Sequence, residues 1–217
     1  MNFAPLQAFS KTGPVKTRCA GVGGMEDKKA VLFNCAKGLF AAKGFKDTNV
    51  ADITARAGFS VGTFYNYYPS KDKLFAEILK QQTAALMERI MGTLNPDDGP
   101  VKLIRQLLAS NMEGMLEDPI LSQWYHPEVY NKIERLFREE DGLQAADFLY
   151  RDFLDLVRKW QAEGKMRADI GSEMIMALFE AIVRIGYHKE EIGLQYFPEL
   201  QNLLADFVLK GLTDCPE

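Results

Sequence analysis

The sequence predicts an all-α protein: a small three-helix head near its N-terminal end, followed by a larger helical bundle. Three observations predict this. Apolar residues recur at helical spacing in most segments between residues 26 and 212. Clusters of Gly, Pro, Asn and Asp punctuate that pattern at helix-length intervals. No stretch alternates apolar with polar residues as a half-buried strand does, and no internal repeat or low-complexity tract is present.

From Glu26 onward, Leu32, Cys35, Ala36, Leu39 and Phe40 fall on one helical face, and Gly44 supplies a C-terminal stop. Asp47, Thr48 and Asn49 offer N-cap chemistry for a second helix, Val50 to Ala57. Gly58 breaks that helix, and Ser60 caps a short third one running to about Tyr67. Ser70 then caps a long helix with Asp72 in its first turn, where a carboxylate complements the helix dipole. Its stripe of Leu74, Phe75, Ile78, Leu79, Leu86 and Ile90 ends at the breaker cluster Asn95 to Pro100. Further helices are expected over 101–117, 119–124, 128–138, 143–163, 172–189 and 198–212. The expected organisation is a flexible arm (1–25), a head (26–72) and a body (73–217).

Charge is distributed unevenly. Residues 1–80 carry 12 Lys/Arg against 6 Asp/Glu, whereas residues 81–217 carry 14 against 24. A basic amino third joined to an acidic remainder aims the molecule at a polyanion from one end. Cys19, Cys35 and Cys215 form neither a disulfide framework nor a zinc-binding spacing, and His126 and His188 add little. No metal or cofactor is therefore expected. No nucleophile–base pairing or phosphate-cradling Gly loop suggests an enzyme. No apolar run approaches the roughly 18 residues of a membrane span. Residues 1–25 lack the apolar centre of a signal peptide, so a cytoplasmic protein is expected. Lys11, Lys16 and Arg18 in this arm are available to DNA, or simply solvated.

The informative stretch runs from Gly44 to Phe75. It comprises two short helices joined at Gly58, the second rich in hydroxyls, as suits major-groove entry. Gly62 lets backbone approach a phosphate or base edge closely. Thr63, Tyr65, Asn66 and Tyr67 offer groups for phosphates and base edges, and Val61 offers contact with a thymine methyl. Lys71 can join the amides at its helix start in gripping a phosphate. Thr48, Asn49 and Ser60 are candidate phosphate contacts as well as caps. Arg56 is either a phosphate contact or a solvated charge.

The run Asp52-Ile53-x-x-x-Ala57-Gly58-x-Ser60-x-Gly62-Thr63-x-Tyr65-x-Tyr67-Tyr68-x-Ser70-Lys71-x-x-Leu74-Phe75 resembles the signature of the TetR family of bacterial transcription regulators. Asn49 stands where that family often has a second Thr, and Tyr68 where Phe is usual. The resemblance implies a helix-turn-helix head binding double-stranded operator DNA as a homodimer, with Tyr65, Tyr67 and Lys71 at phosphates. It implies a dimer interface built from the helices around 143–163 and 172–189. It also implies a body that binds a small effector and, by moving the helix after Ser70, releases the operator, which is the behaviour of a repressor. A regulator without a small-molecule effector, and an activator, remain open alternatives.

For the effector, the candidate contacts are Met112, Met115, Trp124, Tyr125, His126, Phe148, Phe179 and Arg184. Adaptable Met and aromatic side chains suit a permissive, largely apolar pocket, although the same residues equally suit plain core. Arg184 suits an acidic ligand or a carboxylate across the dimer. His126 is a ligand contact or a surface cap.

Overall fold

The computed structural model describes residues 27–139, 147–197 and 199–214, and every element among them is helical. The head comprises α1 (Lys28–Lys43), α2 (Val50–Ala57) and α3 (Val61–Tyr65). The body comprises α4 (Lys71–Met91), α5 (Pro100–Glu117), a 3-10 turn (Leu121–Tyr125), α6 (Pro127–Glu139), α7 (Asp147–Ala162), α8 (Ser172–Ile185), the short α9 (Lys189–Ile192) and α10 (Glu199–Thr213). The arm expected over 1–25 lies outside the described residues.

Local chemistry sets the head's boundaries. The Asp27 carboxylate accepts from the Lys29 N–H at 2.9 Å, so α1 begins just after the expected Glu26. Asn49 and Asp52 form a reciprocal capping box on α2, and Gly58 ends that helix in the left-handed region at φ 75°. The Ser60 and Ser70 side chains cap α3 and α4 by accepting from the N–H groups of Thr63 and Lys73. Pro100 opens α5 at a position whose N–H has no helical partner.

Two expected helices differ in the fold. The segment expected as a helix over 119–124 is a 3-10 turn. The Asp118 carboxylate there accepts from Ile120 and Leu121 N–H groups at 2.7 and 3.0 Å, tightening the turn. The helix expected over 172–189 stops at Ile185. Gln201 of α10 donates to the Ile182 carbonyl at 3.1 Å, and a Cβ on Gly186 would lie 2.8 Å from its Nε2. The Gln201 carboxamide thus lies against the end of α8, where a side chain at position 186 would have to displace it.

The core has two parts. The first buries Leu32, Phe40, Phe45, Ile53, Phe64, Leu74, Phe75 and Ile78 with Met115, Leu121 and Ile133, so head and body share one apolar interior. Phe45 and Phe40 pack around Phe75 at ring-centroid distances of 4.7 and 4.9 Å. The second buries Leu103 and Ile104 with Phe153, Val157, Trp160, Ile175, Phe179, Ile182, Leu209 and Leu212. Leu94 and Leu107 pack against both parts. Phe153, Leu154, Val157 and Trp160 turn α7 inward, whereas large exposed apolar side chains lie on α8 (Met174) and α10 (Leu203, Phe207).

Candidate nucleic-acid interface and its connection to the body

The α2–turn–α3 unit hangs between α1 and α4. Ile53, Phe64 and Tyr68 face inward, which leaves the outer side of α3 free. Val61, Tyr65 and Tyr67 are 44 %, 55 % and 40 % exposed, values expected of ligand-facing rather than core side chains. Ser60, Gly62 and Asn66 are exposed beside them, and Thr63 is half-buried with its hydroxyl 3.0 Å from that of Ser60. A Cβ on Gly62 would meet only the Ser60 hydroxyl, at 3.7 Å, so its outer side is open. Asn49 is exposed while capping α2. The exposed groups of α3 are thus hydroxyls, an amide and one aliphatic side chain.

Three expected contacts face elsewhere. Thr48 is fully buried, and its hydroxyl donates to the Gly44 carbonyl at 2.8 Å, closing the α1–α2 turn. Arg56 is half-buried against α1, with Nη2 3.2 Å from where a Gly38 Cβ would sit. Lys71 donates to the carbonyls of Phe45 and Thr48 at 2.6 and 2.7 Å, and its ammonium lies 4.1 Å above the Phe45 ring. Burial lowers the Lys71 pKa below its ordinary value. Its first work is to tie α4 to the α1–α2 turn.

Sequence reasoning missed Gln123. This 8 % exposed residue of the 3-10 turn accepts from the Phe45 N–H at 2.6 Å through Oε1. Its Nε2 donates to the carbonyls of Phe40 (3.0 Å) and Pro119 (2.6 Å). A buried carboxamide left without partners costs about 1–3 kcal/mol, and here both ends are satisfied. Nothing in the local sequence signals this role, because two of the partners lie 78 and 83 residues away. Two ion pairs frame the same junction, Lys46–Glu128 at 2.5 Å and Lys132–Asp72 at 3.0 Å. Hydrogen bonding from Lys46 holds the Glu128 carboxyl below its usual range, though such exposed pairs contribute little to stability.

The candidate effector contacts do not converge. Met115 is buried in the first core, with Trp124 and Tyr125 packed against it, and Met112 is half-buried on α5. Phe179 belongs to the second core, 6.0 Å from Phe153. His126 is exposed, and its carbonyl accepts the first N–H groups of α6 at 2.9 Å. Arg184 is exposed and paired with Glu180 one turn earlier. The Phe148 side chain lies outside the described residues. His126 and Arg184 therefore do not line an interior pocket. A groove of about 430 Å³ lies instead between α1 and α4, lined by Asp27, Lys29, Phe33, Asn34, Tyr68 and Glu77 among others.

A two-helix reading unit with exposed hydroxyls and an amide, carried on a helical body, defines a helix-turn-helix DNA-binding transcription regulator. Residues 32–78 match the family model for bacterial regulatory proteins of the tetR family. That match covers most of α1, all of α2 and α3, and the start of α4. The chain is 26 % identical to the uncharacterized HTH-type transcriptional regulator YdgC of Bacillus subtilis, over 88 % of this chain and 86 % of YdgC. It is 23 % identical to the HTH-type transcriptional repressor KstR2 of Mycolicibacterium smegmatis, over 84 % and 89 %. A match at 32 % identity to the uncharacterized regulator YuxN of Bacillus subtilis covers 43 % of this chain but only 32 % of YuxN. In fold it is similar to Thermus thermophilus FadR, a TetR-family transcriptional repressor solved with lauroyl-CoA. The TM-score is 0.61 at 23 % identity, covering 84 % and 94 % of the chains.

Proposed function

We propose that this regulator is a dimeric repressor that holds an operator through two α3 helices and leaves it when a small, largely apolar molecule enters the body. The observation that carries the DNA half is the exposed row Val61, Tyr65, Asn66 and Tyr67, held outward while Phe64 and Tyr68 of the same segment are buried. Tyr65 and Tyr67 hydroxyls suit phosphates, and Asn66 suits an adenine edge. The dimer half rests on Met174, Leu203 and Phe207, which at 60 %, 45 % and 68 % exposure are too apolar to face water without cost. They favour α8 with α10 as the interface over the pairing of the 143–163 and 172–189 helices, because Phe153, Leu154, Val157 and Trp160 of α7 are buried within their own protomer.

The effector half is supported by the seam where the two cores meet at Leu94 and Leu107, with Leu108, Asn111 and Met112 half-buried on α5 nearby. KstR2 is named a repressor, and FadR holds an acyl-CoA in its structure. The test is a selection of bound duplexes from a random library, followed by thermal-shift and release assays with acyl-CoA thioesters and small phenols. Operator release with a raised melting temperature supports the reading. A protein that selects a duplex but responds to none of a broad panel is a regulator without a small-molecule effector.

A further inference from the structure

We propose that Gln123 is the positioning residue through which the body sets the angle of the DNA-reading head, an inference that rests on the two-headed operator reading above. The Phe45 peptide is gripped on both sides. Its N–H donates to Gln123 Oε1 at 2.6 Å, and its carbonyl accepts from Lys71 at 2.6 Å. Gln123 also takes the Phe40 carbonyl near the end of α1, and anchors itself on the body through the Pro119 carbonyl. Gly44, at φ 84°, lets the chain turn between Phe40 and Phe45 so that both groups face one carboxamide.

The directional character of these bonds is what matters. The apolar contacts around Phe40, Phe45, Phe75 and Leu121 hold the head close to the body, but apolar contact is non-directional and tolerates small rotations. The buried carboxamide tolerates none without losing a partner, because each of its polar atoms is already committed. The exposed pairs Lys46–Glu128 and Lys132–Asp72 are screened by water and follow whatever angle the buried bonds impose. The turn carrying Gln123 is itself fixed by Asp118 and lies beside Trp124 and Tyr125, which pack on the shared core. Any displacement of residues 119–125 is thereby carried to the end of α1, and through the α1–α2 turn to α3. In a dimer, the angle of each head decides the half-site spacing that both α3 helices can engage.

The experiment uses the full chain and the operator selected above, with its half-sites moved together or apart by one or two base pairs. Gln123→Met keeps the length of the side chain and removes all three hydrogen bonds. The wild type is expected to lose at least about tenfold in affinity off its preferred spacing. Gln123→Met is expected to bind the preferred spacing within several-fold of wild type, and to lose most of that spacing discrimination. A purely structural role lowers affinity at every spacing equally; that result, or unchanged discrimination, overturns the proposal. A wild type indifferent to spacing overturns the two-headed reading itself, which separates the two failures. Backbone amide exchange in the wild type supplies a measurement that needs no variant. Phe45 N–H is expected to exchange as slowly as the core of α1, and rapid exchange would sink the idea.

Discussion

The Lys71 ammonium, at the first residue of α4, donates to the Thr48 carbonyl at 2.7 Å, and so fixes the entry to α2 from below. The same group reaches the Phe45 carbonyl, leaving one of its three N–H bonds for any other partner. Lys71→Ala is therefore expected to lower unfolding stability by about 1–2 kcal/mol, because two carbonyls lose a charged donor. The slope of operator affinity against salt should change by much less than the ~0.9 that one phosphate contact carries. Chemical denaturation and a salt titration measure the two effects. A stable variant with a flattened slope would return Lys71 to the phosphate.

Tyr65→Phe and Tyr67→Phe remove only exposed hydroxyls. Melting temperature should be unchanged, while affinity falls roughly tenfold or more for every duplex, since a hydrogen bond to a charged group contributes about 1.5–3 kcal/mol. Asn66→Ala should instead relax sequence preference at one position by about 1–3 kcal/mol. Competition binding against single-base operator variants distinguishes the two patterns.

Tyr68 is 2 % exposed, and its hydroxyl has no hydrogen-bond partner among the described residues. Desolvation, followed by the Glu77 and Asp27 carboxylates, raises its pKa above the ordinary 10.0. A raised folded-state pKa contributes stability that is present below about pH 10 and is lost as pH rises beyond it. Tyr68→Phe should match or exceed wild-type stability at neutral pH, since an unpartnered buried hydroxyl costs about 1–3 kcal/mol. It should also lose less stability than wild type between pH 9 and 11, as followed by thermal melts across that range.

Gly114 sits where α5 crosses α4, and a Cβ there would fall 2.3 Å from Leu86 Cδ1. Leu86 is itself buried, so it has little room to withdraw. Gly114→Ala should destabilise the protein by about 1–3 kcal/mol through overpacking. Combining it with Leu86→Val should recover part of that loss, and additive effects in the double-mutant cycle would rule the clash out.

Phe207 and Leu203 lie one turn apart on the outer face of α10. Replacing both with Lys should leave helix content and protomer folding intact, because neither side chain is in the core. Light scattering should show a monomer at micromolar concentration, with operator affinity falling sharply as the two half-sites are no longer linked. A variant that stays dimeric would place the interface elsewhere.

Most of the helix ends in the head were legible in the sequence because their causes are local. Asn49, Ser60 and Ser70 lie within three residues of the N–H groups they cap, and Gly44 and Gly58 mark positive φ directly. The exposure of Val61, Tyr65, Asn66 and Tyr67 was legible for the same reason, since all four fall within the one short segment after the Ser60 cap. The fate of Thr48, Arg56 and Lys71 was not. A hydroxyl or a cation near DNA-reading helices has the same sequence signature whether it serves a phosphate or a carbonyl. The end of α8 also escaped, because the Gln201 side chain that bonds the Ile182 carbonyl there arrives from α10.

The sequence by itself determined the helical class, the order and caps of the head, and the residues α3 presents, all through interactions spanning a few positions. Only the tertiary structure decided that Lys71 points inward, that Met174 of α8 and Leu203 and Phe207 of α10 are left exposed, and that Gln123 joins body to head. Each of those depends on groups distant along the chain meeting in space, where burial fixes which partner a polar atom must take.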